Sequence, residues 1–119
     1  MMTAGAKLIS TKMHGVLDYT AVGALAALPR LLNPGMGVNR MLMGAAGGSL
    51  AYSLVTRYEL GLVRLLPMPA HLMLDAGSAL AFLASPLFFR AEAPRTRLTL
   101  LGIGITELTI VLLSQREPR

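Results

Sequence analysis

Residues 71–89 read HLMLDAGSALAFLASPLFF, nineteen positions with a single charged side chain, Asp75. An apolar run of about 20 residues is long enough for a helix to cross the hydrocarbon core of a bilayer. The residues do not alternate between apolar and polar, as they would in a strand of a membrane barrel. The stretch therefore predicts a transmembrane helix.

Three further apolar runs lie at about 14–32, 41–56 and 98–113. The connectors between the four runs contain Pro, Gly and charged residues, which are typical of loops. Because every backbone amide must find a partner inside lipid, a chain of such runs folds as helices. The sequence predicts an all-α fold, a polytopic four-helix membrane bundle forming one integral membrane domain over 1–119.

The composition supports the same location. The chain has 119 residues, of which 54% are hydrophobic and 14% are charged, and the mean hydropathy is +0.59. A soluble domain has about 25% charged residues, so this composition argues against a disordered chain or an ordinary water-soluble enzyme. The absence of cysteine excludes disulfides, Cys-ligated zinc and iron–sulfur sites. The expected partner is the lipid bilayer.

The net charge of +5 arises from basic residues that stand singly beside the apolar runs. No basic stripe with interleaved aromatic residues is present, so we expect no nucleic-acid binding. The four-helix topology puts six basic residues on the side of the termini and five on the other: Lys7, Lys12, Arg57, Arg64, Arg116 and Arg119 against Arg30, Arg40, Arg90, Arg95 and Arg97. By the positive-inside rule, this excess of one basic residue favours both termini in the cytoplasm.

The two halves of the chain share a pattern at an offset of 57 positions. The offset aligns two H-x-x-L-D segments, followed by small residues and a proline near the helix end. The aligned pairs are His14 with His71, Leu17 with Leu74, Asp18 with Asp75, Ala24 with Ala81, Ala27 with Ala84, Pro29 with Pro86, Arg40 with Arg97 and Gly47 with Gly104. We interpret this as a duplicated helical hairpin, with repeat 1 at about 8–56 and repeat 2 at about 65–113. Since each unit has two spans, equivalent residues should lie at the same membrane depth.

Several segments resemble a family of small bacterial integral membrane proteins, the SPW-repeat family. They are His14-Gly-Val-Leu-Asp18-Tyr19, Tyr58-Glu59-Leu-Gly61, Pro67-Met68 and His71-Leu-Met-Leu-Asp75. The family signature is Ser-Pro-Trp, and Ser85-Pro86-Leu87 and Leu28-Pro29-Arg30 occupy that position in a chain without Trp. The resemblance implies a multi-pass protein of the bacterial cytoplasmic (inner) membrane with a four-helix repeat, and it implies no particular activity.

Polar residues are costly inside a membrane and therefore are candidates for function. Each His–Asp pair has i,i+4 spacing, which places both side chains on one helix face. Glu107 in the fourth run and Tyr52 in the second are expected at a similar depth. The candidate ligand, metal or proton residues are His14, Asp18, His71, Asp75, Glu107 and Tyr52.

Two interpretations of this set stay open. In the leading one the protein has a structural or interaction role, and the His–Asp pairs hold the helices together. In the alternative the same residues bind a metal ion, a haem or protons; nitrogen and oxygen ligands suit zinc, iron or manganese. The sequence contains no Walker A, G-x-S-x-G or H-E-x-x-H motif, so no catalytic residue is proposed and an enzyme is not expected.

The second run contains the motif Gly44-x-x-x-Gly48. Glycines at this spacing leave a smooth helix face that another helix can approach closely. We expect this face to pack within the bundle, with a homo-oligomer or a membrane protein partner as the other use of it.

Overall fold

The computed structural model describes residues 8–116, and these residues form four α-helices without a β-strand. The helices are α1 (Thr11–Leu32), α2 (Met36–Leu54), α3 (Met68–Phe88) and α4 (Pro94–Leu113). The predicted all-α class with four helices is thus confirmed.

Local sequence signals explain where the helices begin and end. The Ser10 hydroxyl accepts a hydrogen bond from the Met13 amide at 3.1 Å and caps α1. Asn33 ends that helix in the left-handed conformation with φ of 47°, which asparagine tolerates well. Pro69 and Pro94 lie in the first turns of α3 and α4, where the missing amide hydrogen has no cost.

The helices begin three to five residues before the predicted apolar runs. Two of the predicted runs begin just after Arg40 and Arg97 because charge usually marks a loop, but both residues lie inside helices, near the N-terminal ends of α2 and α4. Arg97 donates from its guanidinium to the Pro86 carbonyl at 3.0 Å. Such arginines satisfy carbonyls that the end of a helix leaves unpaired, so a charge near the membrane boundary does not end a helix.

The helices pack as two antiparallel hairpins, α1 with α2 and α3 with α4, and fewer contacts join the hairpins to each other. An apolar core fills one half of the bundle; its buried members are Leu25, Val38, Leu42, Ala46, Phe82 and Leu100. A smaller cluster of Tyr58, Met68 and Leu72 lies in the other half. The molecule measures 46 by 30 by 19 Å, and its length matches the roughly 40–45 Å of a bilayer with its headgroups.

Large apolar side chains also cover the outside of the bundle, as Met73 (75% exposed) and Leu98 (67% exposed) illustrate. Soluble proteins rarely expose so many. Helices α1, α3 and α4 are long and apolar enough to cross a membrane, which indicates a membrane protein. Helix α2 does not reach the same hydropathy, since Asn39, Arg40 and several Gly and Ser residues dilute its apolar content.

The expected packing face of α2 is on the outside of the bundle. A Cβ atom added at Gly44 or Gly48 would meet nothing within 4 Å, so the prediction that this face packs within the bundle is wrong. The helix turns Leu42 and Ala46 inward, and Gly44 is about 200° around the helix from each of them. Close approach occurs instead at Gly104, where a Cβ would lie 2.9 Å from the Ala79 carbonyl oxygen of α3.

Candidate metal centre

The N-terminal parts of α1 and α3 bring both His–Asp pairs to one point inside the bundle. His14 and His71 are fully buried, and Asp18 and Asp75 are 8% and 7% exposed. Each aspartate follows its histidine by one helical turn, so both side chains leave the same face of the helix. Together the four residues form what we call the His/Asp cluster, in which one potential ligand atom per residue lies within 4.8 Å of the others.

The histidine Nε2 atoms face the carboxylate oxygens both within and between the helices. Within a helix, His14 Nε2 lies 3.1 Å from Asp18 Oδ1, and His71 Nε2 lies 3.1 Å from Asp75 Oδ2. Between helices, His14 Nε2 lies 2.9 Å from Asp75 Oδ2, and His71 Nε2 lies 3.0 Å from Asp18 Oδ2. The expected interhelix His–Asp contacts are therefore present, and each hairpin contributes one histidine and one aspartate.

The other nitrogen of each ring contacts a hydroxyl at the end of a helix. His14 Nδ1 lies 2.6 Å from Ser114 Oγ, which itself donates to the Ile110 carbonyl. A hydroxyl has one hydrogen, so a hydroxyl that donates to a carbonyl can only accept from the ring. Nδ1 of the His14 ring therefore carries a hydrogen.

The second ring is arranged in the same way. His71 Nδ1 lies 2.7 Å from Thr56 Oγ1, and this hydroxyl donates to the Tyr52 carbonyl at 2.5 Å. Nδ1 of the His71 ring thus also carries a hydrogen. In a neutral ring the Nε2 atom then has a free lone pair, and in both rings that lone pair points toward carboxylate oxygens.

A lone pair and a carboxylate repel each other unless a cation lies between them. The His14 Nε2–Asp75 contact has the alignment of a hydrogen bond. His71 Nε2, in contrast, is buried and has no hydrogen-bond partner among the described residues, although two carboxylate oxygens lie within 3.1 Å. A hydrogen on His71 Nε2 is therefore not directed at either oxygen. A metal ion between the histidine nitrogens and the carboxylate oxygens does not need the nearly straight N–H···O arrangement of a hydrogen bond.

Two tyrosines complete the hydrogen bonding of the carboxylates. Tyr52, a predicted site residue, donates its hydroxyl to Asp75 Oδ1. Tyr58, in the loop after α2, donates to Asp18 Oδ2 at 2.7 Å. Burial, together with the nearby Asp18 charge, raises the pKa of Tyr58, so its hydroxyl keeps the proton that it donates.

The loop after α2 closes the cluster at the end of the bundle. Tyr19 donates to the Leu60 carbonyl at 2.8 Å, and Thr11 donates to the Glu59 carboxylate at 2.8 Å. The segment before α1 lies beside the end of α4, where the Ile9 amide donates to the Leu113 carbonyl at 2.9 Å. These contacts fix the helix ends that supply the four ligand side chains.

Glu107 does not join the His/Asp cluster. Its carboxylate accepts from the Ser78 hydroxyl at 3.1 Å and lines a cavity of about 540 Å³ between the hairpins. It lines the same cavity as Asp18 and Asp75, but its carboxylate is not among the potential ligand atoms that the structure brings together.

Sequence reasoning also missed three members of the site, Thr56, Tyr58 and Ser114. Ser114 directly follows the end of α4, and Thr56 comes two residues after the end of α2; these are the helices that return to the level of the histidines. A polar residue at those two places was the available signal, but serine and threonine at helix ends are common and point to no particular partner.

No protein-family model, curated protein or solved structure matches the chain. The candidate site therefore depends on its own geometry.

Proposed function

We propose that the protein is a membrane protein whose His/Asp cluster binds one divalent transition-metal ion. The observation that carries the proposal is His71 Nε2, a buried nitrogen without a hydrogen-bond partner that faces the oxygens of Asp18 and Asp75. Two imidazole nitrogens and two carboxylate oxygens are a ligand set suited to zinc, iron(II) or manganese(II).

The spacing of the donor atoms supports an ion at their centre. The four nitrogen–oxygen distances lie between 2.9 and 3.1 Å. Two ligands of a tetrahedral ion with bonds of about 2.0 Å are about 3.3 Å apart, which is close to these nitrogen–oxygen distances. The four ligand atoms of the cluster all lie within 4.8 Å of one another. A haem is less well supported, because the Nε2 atoms face carboxylates instead of an open slot between the rings.

The charge of the cluster also favours a dication. With neutral rings the two buried carboxylates have a charge of −2, and the ion pairs that the described residues form are all within the cluster. An uncompensated charge is strongly unfavourable in a membrane interior. One divalent ion neutralises both carboxylates and leaves the two rings in the tautomer that Ser114 and Thr56 impose.

The surrounding hydrogen bonds are those that metal ligands require. A metal-bound histidine almost always donates its other ring hydrogen to a fixed acceptor, which orients the ring. Here the acceptors are Ser114 and Thr56, and Tyr52 and Tyr58 hold the carboxylates.

Elemental analysis tests the proposal. The protein would be purified in mild detergent, stripped with a chelator, dialysed against zinc, iron(II) or manganese(II), and analysed by mass spectrometry. We expect about one ion per chain for the best of these metals. The variant Asp18→Asn, Asp75→Asn keeps the side-chain shapes and should lose the ion. Glu92→Gln is the matched control. The Glu92 carboxylate lies outside the cluster and accepts a hydrogen bond from the Gly35 amide.

Wild-type protein that binds none of the three metals would contradict the proposal, as would an Asn variant with wild-type metal content. In that case a second function has support from the same contacts. The crossed pairs His14–Asp75 and His71–Asp18 join two hairpins that otherwise share few contacts, so protonated histidines would hold the bundle together. The Asn variant would then unfold more easily than wild type in metal-free buffer.

We also propose that α2 crosses the membrane with the other three helices, as a duplicated hairpin of SPW-repeat type in a bacterial inner membrane. Ile9 and Leu66, which pair with Ser114 and Thr56, are separated by the same 57 positions as His14 and His71.

Because the chain contains no cysteine, single introduced cysteines can report on which side of the membrane each loop lies. Cysteines at Leu8 and Leu62 should react with an impermeant reagent from the cytoplasmic side, and one at Ala91 from the opposite side. Labelling of all three from one side would exclude this topology.

A further inference from the structure

The cavity between the hairpins has one polar end and long apolar walls. Its polar end is formed by Glu107 and Ser78 beside the cluster aspartates, and the walls are Ala24, Leu28 and Ile103 together with other small, aliphatic or threonine side chains of α1 and α4. A volume of about 540 Å³ lies within the range of about 300–1,000 Å³ of sites for small organic ligands. The cavity is therefore large enough for a compact amphipathic molecule.

Glu107 is the feature of this cavity that the metal centre does not use. One of its oxygens accepts from Ser78, and none of the described residues that line the cavity is Lys, Arg or His. A carboxylate at this position thus has no positive partner among the described residues that line the cavity. Inside a membrane such a group requires a cation or a proton.

We propose that this cavity binds an amphipathic organic amine in its protonated form, with the ammonium on the Glu107 carboxylate and the alkyl part along the apolar walls. Charge complementarity selects the ammonium, and the absence of basic side chains disfavours anionic amphiphiles of the same length. The limited volume favours a single-chain molecule over a two-chain aminophospholipid. The inference does not depend on the metal, because Glu107 lies outside the His/Asp cluster.

Three probes of one chain length separate the contribution of the charge from that of the alkyl chain: decylammonium, decanol and decanesulfonate. Each would be titrated calorimetrically into wild-type protein and Glu107→Gln in the same detergent, below its own micelle concentration. Partitioning into detergent is identical for both proteins and cancels in the comparison. We expect the cation to bind at least about tenfold more weakly to Glu107→Gln, because the variant loses the charge partner, and the alcohol to bind both proteins equally.

Two variants serve as controls. Glu92→Gln makes the same charge change outside the cavity and should bind the cation like wild type. Gly102→Leu should weaken cation and alcohol alike, since a side chain at Gly102 meets nothing within 4 Å and would extend into the cavity. The metal content of Glu107→Gln should equal that of wild type, so a failure of this inference is distinct from a failure of the metal centre.

Equal cation affinity in wild type and Glu107→Gln would overturn the proposal, and so would equal affinity for the cation and the sulfonate. Displacement of the cation by phosphatidylethanolamine, added in mixed micelles at equal concentration, would overturn the assignment to a single-chain amine.

Discussion

The two histidine rings are fixed by hydroxyls that have already donated their only hydrogen. Ser114 and Thr56 each bond a helix carbonyl, so each accepts from Nδ1 and leaves Nε2 free to face the carboxylates. An aliphatic residue at either place would leave a buried N–H without a partner and would let the ring change its tautomer or its orientation. A hydroxyl that is not itself a candidate ligand thus determines which nitrogen of the ring is available as a ligand.

This reasoning predicts the effect of changing Thr56. Thr56→Val keeps the shape of the side chain and removes the acceptor for His71 Nδ1, so we expect the metal affinity to fall about 10- to 100-fold. Thr56→Ser keeps the hydroxyl and should retain the wild-type affinity. Competition with a chelating indicator dye measures both variants, and equal losses in Val and Ser would show that the hydroxyl is not what matters.

Tyr58 gives a second prediction at the same scale. Tyr58→Phe removes the donor to Asp18 Oδ2 while the ring remains in its buried position, so we expect the metal affinity to fall by roughly tenfold. Tyr19→Phe is the matched control, because its hydroxyl bonds the Leu60 carbonyl and no cluster residue. If both variants bind metal like wild type, the hydrogen bond from Tyr58 to Asp18 does not affect the metal affinity.

Between elements, the two hairpins differ in how closely their helices approach. Gly47 and Gly104 are equivalent in the predicted repeat, yet a Cβ would meet nothing within 4 Å at Gly47 and would lie 2.8 Å from the backbone nitrogen of Leu83 at Gly104. Hairpin α3–α4 therefore has a close backbone approach at Gly104 that hairpin α1–α2 lacks at Gly47.

Alanine substitutions at these glycines test the difference. Gly104→Ala forces α3 and α4 apart and should lower the free energy of unfolding by about 1–3 kcal/mol. Gly47→Ala adds a methyl group in open space and should be neutral or stabilising by up to about 1 kcal/mol, because alanine favours the helix. Unfolding in mixed micelles with increasing dodecyl sulfate measures both changes. A neutral Gly104→Ala would contradict the close approach.

For the molecule as a whole, the sequence was sufficient to predict the four helices, which depend on apolar content. It was also sufficient to predict that the two His–Asp pairs converge. The i,i+4 spacing and the common offset place His14, Asp18, His71 and Asp75 on equivalent faces, and the structure brings these four together. The position of a residue along a helix axis does not determine the direction of its side chain around that axis. Glu107 therefore lies at the expected membrane depth but outside the cluster. Contacts such as His14–Ser114, a hundred positions apart, depend on how the hairpins pack and leave no local pattern.

The cluster joins both hairpins, so metal binding should stabilise the entire bundle. At a free metal concentration of 100 times Kd we expect a gain of about 2.7 kcal/mol in the free energy of unfolding, which a chelator reverses. The variant Asp18→Asn, Asp75→Asn should unfold at the same point with or without metal. A metal-dependent shift of equal size in this variant would place the ion elsewhere.

The bond between His14 and Ser114 has a consequence for biosynthesis. His14 leaves the ribosome long before Ser114, and α2 and α3 are translated between them. While α4 is still being made, the first histidine has its aspartate but not the hydroxyl that selects its tautomer. A nascent chain without the end of α4 therefore holds all four side chains of the His/Asp cluster but lacks the acceptor that orients the first ring.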